Sequence, residues 1–161
     1  MRLKTMLAGF ALMASPGIAA AETPMDARDP TVFAQQLSEM GYAPDKPEIG
    51  TDTTTIVAHL PNEAMVMVLG GCTQGVKCTY VALIGAFSDI KNAPANWVAK
   101  ENLNFDLIKI WTDDDGRLCY GAGSVVTGMP RATFRAWVDL VTQSTDALGA
   151  EAIKAGLGPK K

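Results

Sequence analysis

The stretch MVMVLGGCTQGVKCTYVALIGAF, residues 65–87, decides the fold because two apolar runs flank a short polar segment that contains Gly75. Both runs are rich in the β-branched and aromatic residues that favour strands, and a glycine adopts positive φ at little cost. The pattern predicts a β-hairpin whose last cross-strand positions are Cys72 and Cys78. In the first run, apolar residues occupy successive positions and so would lie on both faces of a strand, which favours a strand that is covered on both sides.

Cys72 and Cys78 admit three explanations: a structural disulfide, a redox pair or part of a metal site. A zinc site needs four ligands at recognised spacings, and His59 is the only histidine in the chain. A thioredoxin-like pair has two intervening residues at a helix N-terminus, whereas five residues separate these cysteines. In an oxidising compartment the spacing therefore favours a structural disulfide. Cys119 is then left over, and we expect a buried, inert thiol, with an intermolecular disulfide as the alternative.

The first residues, MRLKTMLAGFALMASPGIAAAET, have the features of a secretory signal peptide. Two basic residues precede an apolar run at 6–13, and small residues lead up to Ala21. The apolar run is shorter than the roughly 20 residues that a membrane span needs. We therefore expect a signal peptide at 1–21 that is cleaved between Ala21 and Glu22. The product should be periplasmic or secreted, without stable membrane insertion after cleavage.

Composition limits the function of the exported chain. Loss of Arg2 and Lys4 with the signal peptide reduces the basic residues from 14 to 12 against 17 acidic ones, a formal net charge of −5. An acidic domain of this kind repels phosphate backbones, so we expect no nucleic-acid partner. The 140 remaining residues suit one domain with a sizeable core.

The exported chain begins with the polar residues 22–28, which we expect to be flexible. A helix is predicted next, because Asp29 is a good N-cap, Pro30 suits the first turn and Gly41 ends it. Its apolar residues recur at helical spacing and should dock on a sheet. They are Val32, Phe33, Leu37 and Met40.

The remaining apolar patterns predict an α+β domain. Strands are predicted at 53–60, 63–71, 78–87, 105–112 and 117–126, with a short edge strand near 48–49, and helices at 92–104 and 128–153. Consecutive hairpins imply an antiparallel sheet of about five strands with the N-terminal and C-terminal helices packed on it. We expect the domain to span 29–150, followed by a C-terminal tail at 151–161.

Several polar patterns lack the partners that catalysis or metal binding would need. His59 lies in a strand pattern, and no nucleophile is indicated beside it. Asp113–Asp115 is interpreted as part of a hairpin turn, because Trp111 occupies the first ligand position of a calcium loop. Gly121–Ser124 lies in a strand and indicates a bulge or a close backbone contact, since it lacks the helix and lysine of a phosphate loop.

The methionines of the first hairpin strand and the three tryptophans are expected to be buried. Met65 and Met67 lack the histidine and cysteine partners of a copper site and are assigned to the core. Trp97, Trp111 and Trp137 are assigned there as anchors, although a partly exposed tryptophan would suit an interaction surface.

These features together resemble the bacterial YbjN domain family. The likeness covers most of residues 29–148 and is carried by the helix that begins at Asp29-Pro30, the GC-x5-C hairpin within 65–87, Asn96-Trp97, the DDDG turn and the closing FRAWVDLV helix. The segment after Asn96-Trp97 departs from the family pattern, since a second asparagine and an arginine are missing. The resemblance implies a fold similar to type III secretion chaperones and a role as a sensory-transduction regulator. It implies no enzymatic residues.

The sequence therefore predicts a non-catalytic periplasmic YbjN-like domain that binds a protein or peptide partner in envelope sensing or regulation. We expect no catalytic residues, no cofactor and no metal. A thiol–disulfide enzyme that uses Cys72, Cys78 or Cys119 is one alternative. A structural or self-associating envelope protein is the other.

Overall fold

A computed structural model of the protein describes residues 22–59 and 64–158. Within these residues, seven antiparallel strands form one open sheet that is accompanied by three helices. The elements are α1 Pro30–Glu39, β1 Ala43–Pro44, β2 Glu48–Ile49, β3 Thr54–His59, β4 Ala64–Gly70, β5 Tyr80–Lys91, α2 Ala95–Asn104, β6 Lys109–Thr112, β7 Arg117–Ser124 and α3 Arg131–Lys154.

The predicted α+β class is confirmed, whereas the count of about five strands is too low. The five longer strands, β3 to β7, each overlap a predicted strand, and β2 lies at the predicted short edge strand. β5 continues to Lys91, beyond the predicted end at 87, and β6 begins at Lys109 and not at 105. β1 is an additional strand of two residues, and both short strands pair with β3. Pro44 and Pro47 lack the N–H groups that a longer ladder would need, which keeps this edge short. A two-residue pairing leaves no periodic pattern in a sequence.

The strands are arranged in the order β1-β3-β4-β5-β7-β6, with β2 also paired to β3. The chain leaves β5, passes through α2 to β6 at the edge of the sheet, and returns as β7 between them. Both predicted hairpins are therefore present, and the second hairpin joins the first through the pairing of β5 with β7.

One face of the sheet, called the inner face here, is buried under α1 and α3. Its central row is paired across four strands, is at most 6% exposed, and consists of Ile56, Met67, Leu83 and Ala122. Phe33 of α1 and Phe134 of α3 are fully buried, with ring centroids 5.8 Å apart in an edge-to-face arrangement. This aromatic contact joins the two helices above the sheet.

The helix signals at the start of α1 are confirmed in detail. The Asp29 side chain accepts hydrogen bonds from the N–H groups of Thr31 and Val32, and Gly41 follows the helix with a φ of 90°. Val32 was predicted on the buried face, but its side chain is exposed. The other three predicted residues, Phe33, Leu37 and Met40, are buried.

The opposite face, called the outer face, is only partly covered. Its central row consists of Val57, Val66, Ile84 and Gly121, which alternate along the strands with the buried inner row. The three large side chains of this row remain partly exposed. The prediction that the first strand of the hairpin is covered on both sides is therefore wrong, because both large helices pack on the inner face.

The N-terminal segment is packed against the domain, so the prediction of a flexible segment at 22–28 is also corrected. Met25 is fully buried. Its N–H donates to the Met129 carbonyl oxygen and its own carbonyl accepts from the Gly128 N–H, both at 2.8 Å. A single large apolar residue anchors this segment, and the polar residues around it conceal that anchor in the sequence.

The domain also extends further than the predicted boundary at residue 150. Helix α3 continues to Lys154, Ala152 is fully buried, and the Leu157 N–H donates to the Ala152 carbonyl oxygen at 2.9 Å. The predicted tail is therefore part of the fold up to residue 158. Residues 159–161 of that tail and residues 1–21 of the predicted signal peptide lie outside the described residues.

Candidate functional site

Cys72 and Cys78 are joined by a disulfide, as predicted, with their sulfur atoms 2.10 Å apart. The two cysteines do not occupy the last positions of the ladder, because β4 ends at Gly70 and β5 begins at Tyr80. Gln74 and the neighbouring glycine both have positive φ in a tight two-residue turn between them. The disulfide thus closes a loop beyond the strands, and this detail corrects the predicted cross-strand position.

Hydrogen bonds attach the disulfide loop to the start of β3, to the turn before it and to the N-terminal segment. The buried Thr54 hydroxyl donates to the Gly75 carbonyl oxygen at 2.6 Å, and the Cys72 N–H donates to the Asp52 carbonyl oxygen at 3.1 Å. The Lys77 N–H donates to the Arg28 carbonyl oxygen at 2.6 Å. The loop therefore joins the N-terminal segment, the turn before β3 and the β4–β5 connection in one structural unit.

Cys119 is a free, buried thiol that lies far from the disulfide. It pairs across the sheet with Ala86, and the strand from Tyr80 to Ala86 covers roughly 20 Å. Burial raises the pKa of the Cys119 thiol, and the negative charge of Asp113 adds to that effect. The three cysteines are thus not assembled into one redox site, and Cys119 is not activated as a thiolate.

His59 lies at the exposed end of β3, where its Nε2 is 3.0 Å from the Asp45 carboxylate. Among the described residues, no group of three or more histidine, cysteine, aspartate or glutamate side chains is arranged to hold a metal ion. The His59–Asp45 pair joins β3 to the chain just after β1.

The acidic triplet forms a turn, as predicted. Asp113 accepts hydrogen bonds from the backbone N–H and the Nε of Arg117, at 2.8 and 2.7 Å. Partial burial alone would raise the pKa of Asp113, but the bonds from Arg117 outweigh it and the pKa is lowered. The carboxylate thus stabilises the β6–β7 turn.

Gly121–Ser124 forms a regular part of the β7 ladder, so the predicted bulge does not occur there. The alternative, a close contact, is present. A Cβ atom on Gly121 would lie 3.1 Å from the Trp111 ring, which covers the glycine on the outer face. Met67 is fully buried in the inner row, as predicted for the core, whereas Met65 is only partly buried against that core.

The predicted cleavage position falls at the boundary of the described residues. Ala21 lies outside them, and Glu22 is their exposed first residue. In the part of the chain that the structure describes, no helix is both long enough and apolar enough to cross a membrane.

The outer face carries a continuous apolar surface, which we call the outer-face patch. It occupies two adjacent cross-strand rows and consists of Val57, Val66, Val68, Ala82 and Ile84. All five side chains are partly exposed. Gly123 of β7 is exposed and borders the patch without a side chain, whereas the Trp111 ring covers Gly121. An apolar surface of this kind, unlike a single exposed residue, is typical of an interaction site.

The edges of the sheet are blocked, in contrast to its outer face. At the β6 edge, the Asn102 side chain replaces a neighbouring strand. Its Nδ2 donates to the Ile110 carbonyl oxygen at 2.8 Å and its Oδ1 accepts from the Ile110 N–H at 2.9 Å. At the other edge, the two-residue strands β1 and β2 pair with β3, and Pro44 lies in β1. A partner would therefore bind the face of the sheet in preference to adding a strand at an edge.

Comparison with known proteins adds no family to these observations. No protein-family model matches the chain, and no match was found among curated proteins or solved structures. The resemblance to the YbjN family therefore stays a prediction that rests on the sequence motifs.

Proposed function

We propose that the protein is a non-catalytic, exported domain that binds a protein or peptide partner through the outer-face patch. The observation that carries this proposal is the partial exposure of two adjacent apolar rows, which include Val66, Val68 and Ile84. Covering them would remove apolar surface from water, which is favourable by about 25 cal/mol per Å². The motif resemblance to the YbjN family supports a role for this binding in envelope sensing or regulation.

The shape of the patch favours a flat or helical partner surface. Its side chains are short or branched, and the exposed Gly123 borders it without a side chain. The backbone groups beneath it are already paired within the ladders between β3, β4, β5 and β7. Affinity must therefore come from apolar side chains of the partner rather than from backbone hydrogen bonds.

Charge substitutions within the patch test the proposal. We expect Val66→Lys and Ile84→Lys to reduce partner capture from periplasmic extract by about tenfold or more, because each inserts a charge into an apolar contact. The matched control is Leu140→Lys, which makes the same change at an exposed leucine of α3. Thermal unfolding followed by circular dichroism checks that all three variants fold.

A photocrosslinking residue at position 66 identifies what binds there. The proposal requires a crosslink to a protein from position 66 and none to the same protein from position 140. Capture that is lost with Leu140→Lys but kept with Ile84→Lys would place binding elsewhere. Sedimentation of the purified protein separates a different partner from a second copy of this chain.

Thiol chemistry is the weaker alternative. The nucleophile in thiol–disulfide exchange is the thiolate, and the pKa of Cys119 is raised rather than lowered. A structural Cys72–Cys78 disulfide should resist reduction by the glutathione pool, whereas a catalytic pair should exchange with it. Measurement of the reduction potential distinguishes the two.

The proposed export is tested separately. The disulfide is consistent with an oxidising compartment. We expect N-terminal sequencing of the exported protein to begin at Glu22. A product that retains residues 1–21 would contradict the proposed processing.

A further inference from the structure

A concave surface lies on the opposite side of the sheet from the outer-face patch. It is a groove of about 450 Å³ between the end of β5 and the last turns of α3, and we call it the α3–β5 groove. This volume falls within the range of about 300–1,000 Å³ that is typical of sites for small molecules. Phe87 and Ile90 lie on its β5 side, and Gly149 and Ile153 lie on its α3 side.

An irregularity in the sheet creates the groove. The pairing of β5 with β7 is regular up to Ala86–Cys119 and resumes only at Lys91–Arg117, so the intervening part of β5 bulges from the ladder. Bulges of this kind redirect side chains and are common beside functional sites. The bulge places residues 87–90 against the end of α3.

Helix α3 contains a glycine at the point where the bulge meets it. A Cβ atom on Gly149 would lie 3.0 Å from the Phe87 ring, so the close approach of β5 and α3 depends on its absence. Phe87 also contacts the Tyr120 ring, with centroids 5.5 Å apart. A glycine within a helix costs about 1 kcal/mol relative to alanine, and this packing accounts for its presence.

The groove combines an apolar floor with acidic groups. Ile90 is buried in it, whereas Ile153 is 63% exposed at its border. Asp89 accepts a hydrogen bond from its neighbour Ser88 at 2.6 Å. Neither Asp89 nor Asp146 forms an ion pair with any basic group of the described chain. The groove thus presents two carboxylates that lack a cationic counterpart, beside apolar surface that lacks a cover.

We propose that the α3–β5 groove binds a small amphipathic organic cation, with an ammonium group at the carboxylates and an apolar body on the floor. The carboxylates of Asp89 and Asp146 disfavour an anion by charge repulsion, and the apolar floor favours an alkyl or aromatic body over a fully hydrated cation. This site is independent of the outer-face patch, because it lies on the side of the sheet that α3 covers.

Titration with n-octylammonium tests the proposal, with amide shifts in the nitrogen–proton spectrum of the whole exported chain as the readout. We expect saturable shifts at Ser88, Asp89, Gly149 and Ala150, with a Kd on the order of 1 mM, as suits a ligand of this size. Octyl sulfate, which has the same chain and the opposite charge, should leave these signals unchanged. Equal shifts with octyl sulfate would overturn the proposal.

Two isosteric variants separate a specific ion contact from a general effect of charge. Asp146 is exposed, so Asp146→Asn should raise the Kd for octylammonium by no more than about fivefold, which corresponds to the loss of roughly 1 kcal/mol at most from an exposed ion pair. The control, Asp106→Asn, makes the same charge change at an exposed position between α2 and β6 and should leave the Kd unchanged. An equal effect of both variants would contradict the site.

A salt titration of the unmodified protein gives a result that does not depend on any variant. The Kd should rise as sodium chloride increases from about 20 to about 500 mM, because screening weakens the contact between ammonium and carboxylate. A Kd that stays constant would overturn the assignment of the cation to the two carboxylates.

Discussion

The two faces of the sheet consist of neighbouring rows of similar apolar character, yet they have different surroundings. Ile56, Met67 and Leu83 form the inner row and are almost fully buried. The outer row, formed by residues next to them in the same strands, remains partly exposed. Residue type within a strand therefore does not decide which face is buried in this protein. The attachment of the helices decides it.

Polar contacts hold the two helices on the inner face. Arg131 of α3 forms an ion pair with Glu39 of α1 at 2.7 Å. Arg135 of α3 donates to the carbonyl oxygen of Met40, the residue that follows α1, at 2.6 Å. Both contacts join the C-terminal end of α1 to the first turns of α3, and together with the Phe33–Phe134 contact they hold the two helices as one layer. No helix of the described chain makes a corresponding contact over the outer-face patch, which is the physical difference between the faces.

The largest effect should follow from removal of the aromatic ring at the centre of the helical layer. Phe134 is fully buried against Phe33 and Trp137. We expect Phe134→Ala to lower the free energy of unfolding by about 3–5 kcal/mol, through lost burial and the cavity left behind. Urea unfolding measures this, with Leu140→Ala as the control, because Leu140 is exposed on the same helix and should change stability by about 0.5 kcal/mol or less.

Two adjacent residues of β5 test most directly whether the inner and outer faces differ in burial. Leu83 is 1% exposed on the inner face, and its neighbour Ile84 is partly exposed on the outer face. Leu83→Ala should destabilise the protein by about 2–5 kcal/mol, whereas Ile84→Ala should cost about 1 kcal/mol, because less of its surface is buried. Similar urea midpoints for the two variants would mean that the outer face is covered as well.

The sequence predicts local features of this fold better than distant ones. The Asp29 cap, Pro30 and Gly41 define α1 because all their contacts are local. The hairpin and its disulfide follow from the pattern at 65–87 for the same reason. Tryptophan burial was predicted less well, since Trp137 is only partly buried and Phe134 beside it occupies the centre of the core.

The remaining features of the candidate site depend on contacts between distant parts of the chain and were therefore not predictable from the sequence. The apolar residues of the outer-face patch are visible in the sequence, but their exposure depends on helices that are distant along the chain. Asn102 blocks the β6 edge through bonds to Ile110, and Thr54 binds Gly75 across 21 positions of the chain. Both partners are backbone atoms, and a backbone partner leaves no residue signature in the sequence. The unpaired segment of β5 between Ala86 and Lys91 is likewise defined only by its pairing with β7.

Removal of the disulfide should destabilise the inner and outer faces of the sheet alike. The disulfide lies between the end of β4 and the start of β5, and both strands contribute residues to both faces. We expect Cys72→Ala/Cys78→Ala to lower the free energy of unfolding by about 2 kcal/mol, as estimated for closure of so short a loop. Urea unfolding measures this, and Cys119→Ala serves as a control that leaves the disulfide intact. Loss of partner capture with no change in stability would contradict a purely structural role for the disulfide.

The smallest predicted effect concerns pH and distinguishes the ionic contacts of the helical layer from the apolar outer face. The hydrogen bond from Arg131 lowers the pKa of Glu39 below its ordinary value of 4.5. Because the folded state then binds a proton less readily than the unfolded chain, the contact adds stability above the unfolded pKa and loses it as the pH falls through the lowered one. The urea midpoint should therefore fall with acidification from about pH 6 to about pH 3, by a modest amount because exposed ion pairs are weak. Glu39→Gln should reduce this dependence, whereas Ile84→Ala should retain the slope of the unmodified protein. An unchanged slope in Glu39→Gln would show that the Arg131 contact does not help to hold α1 against α3.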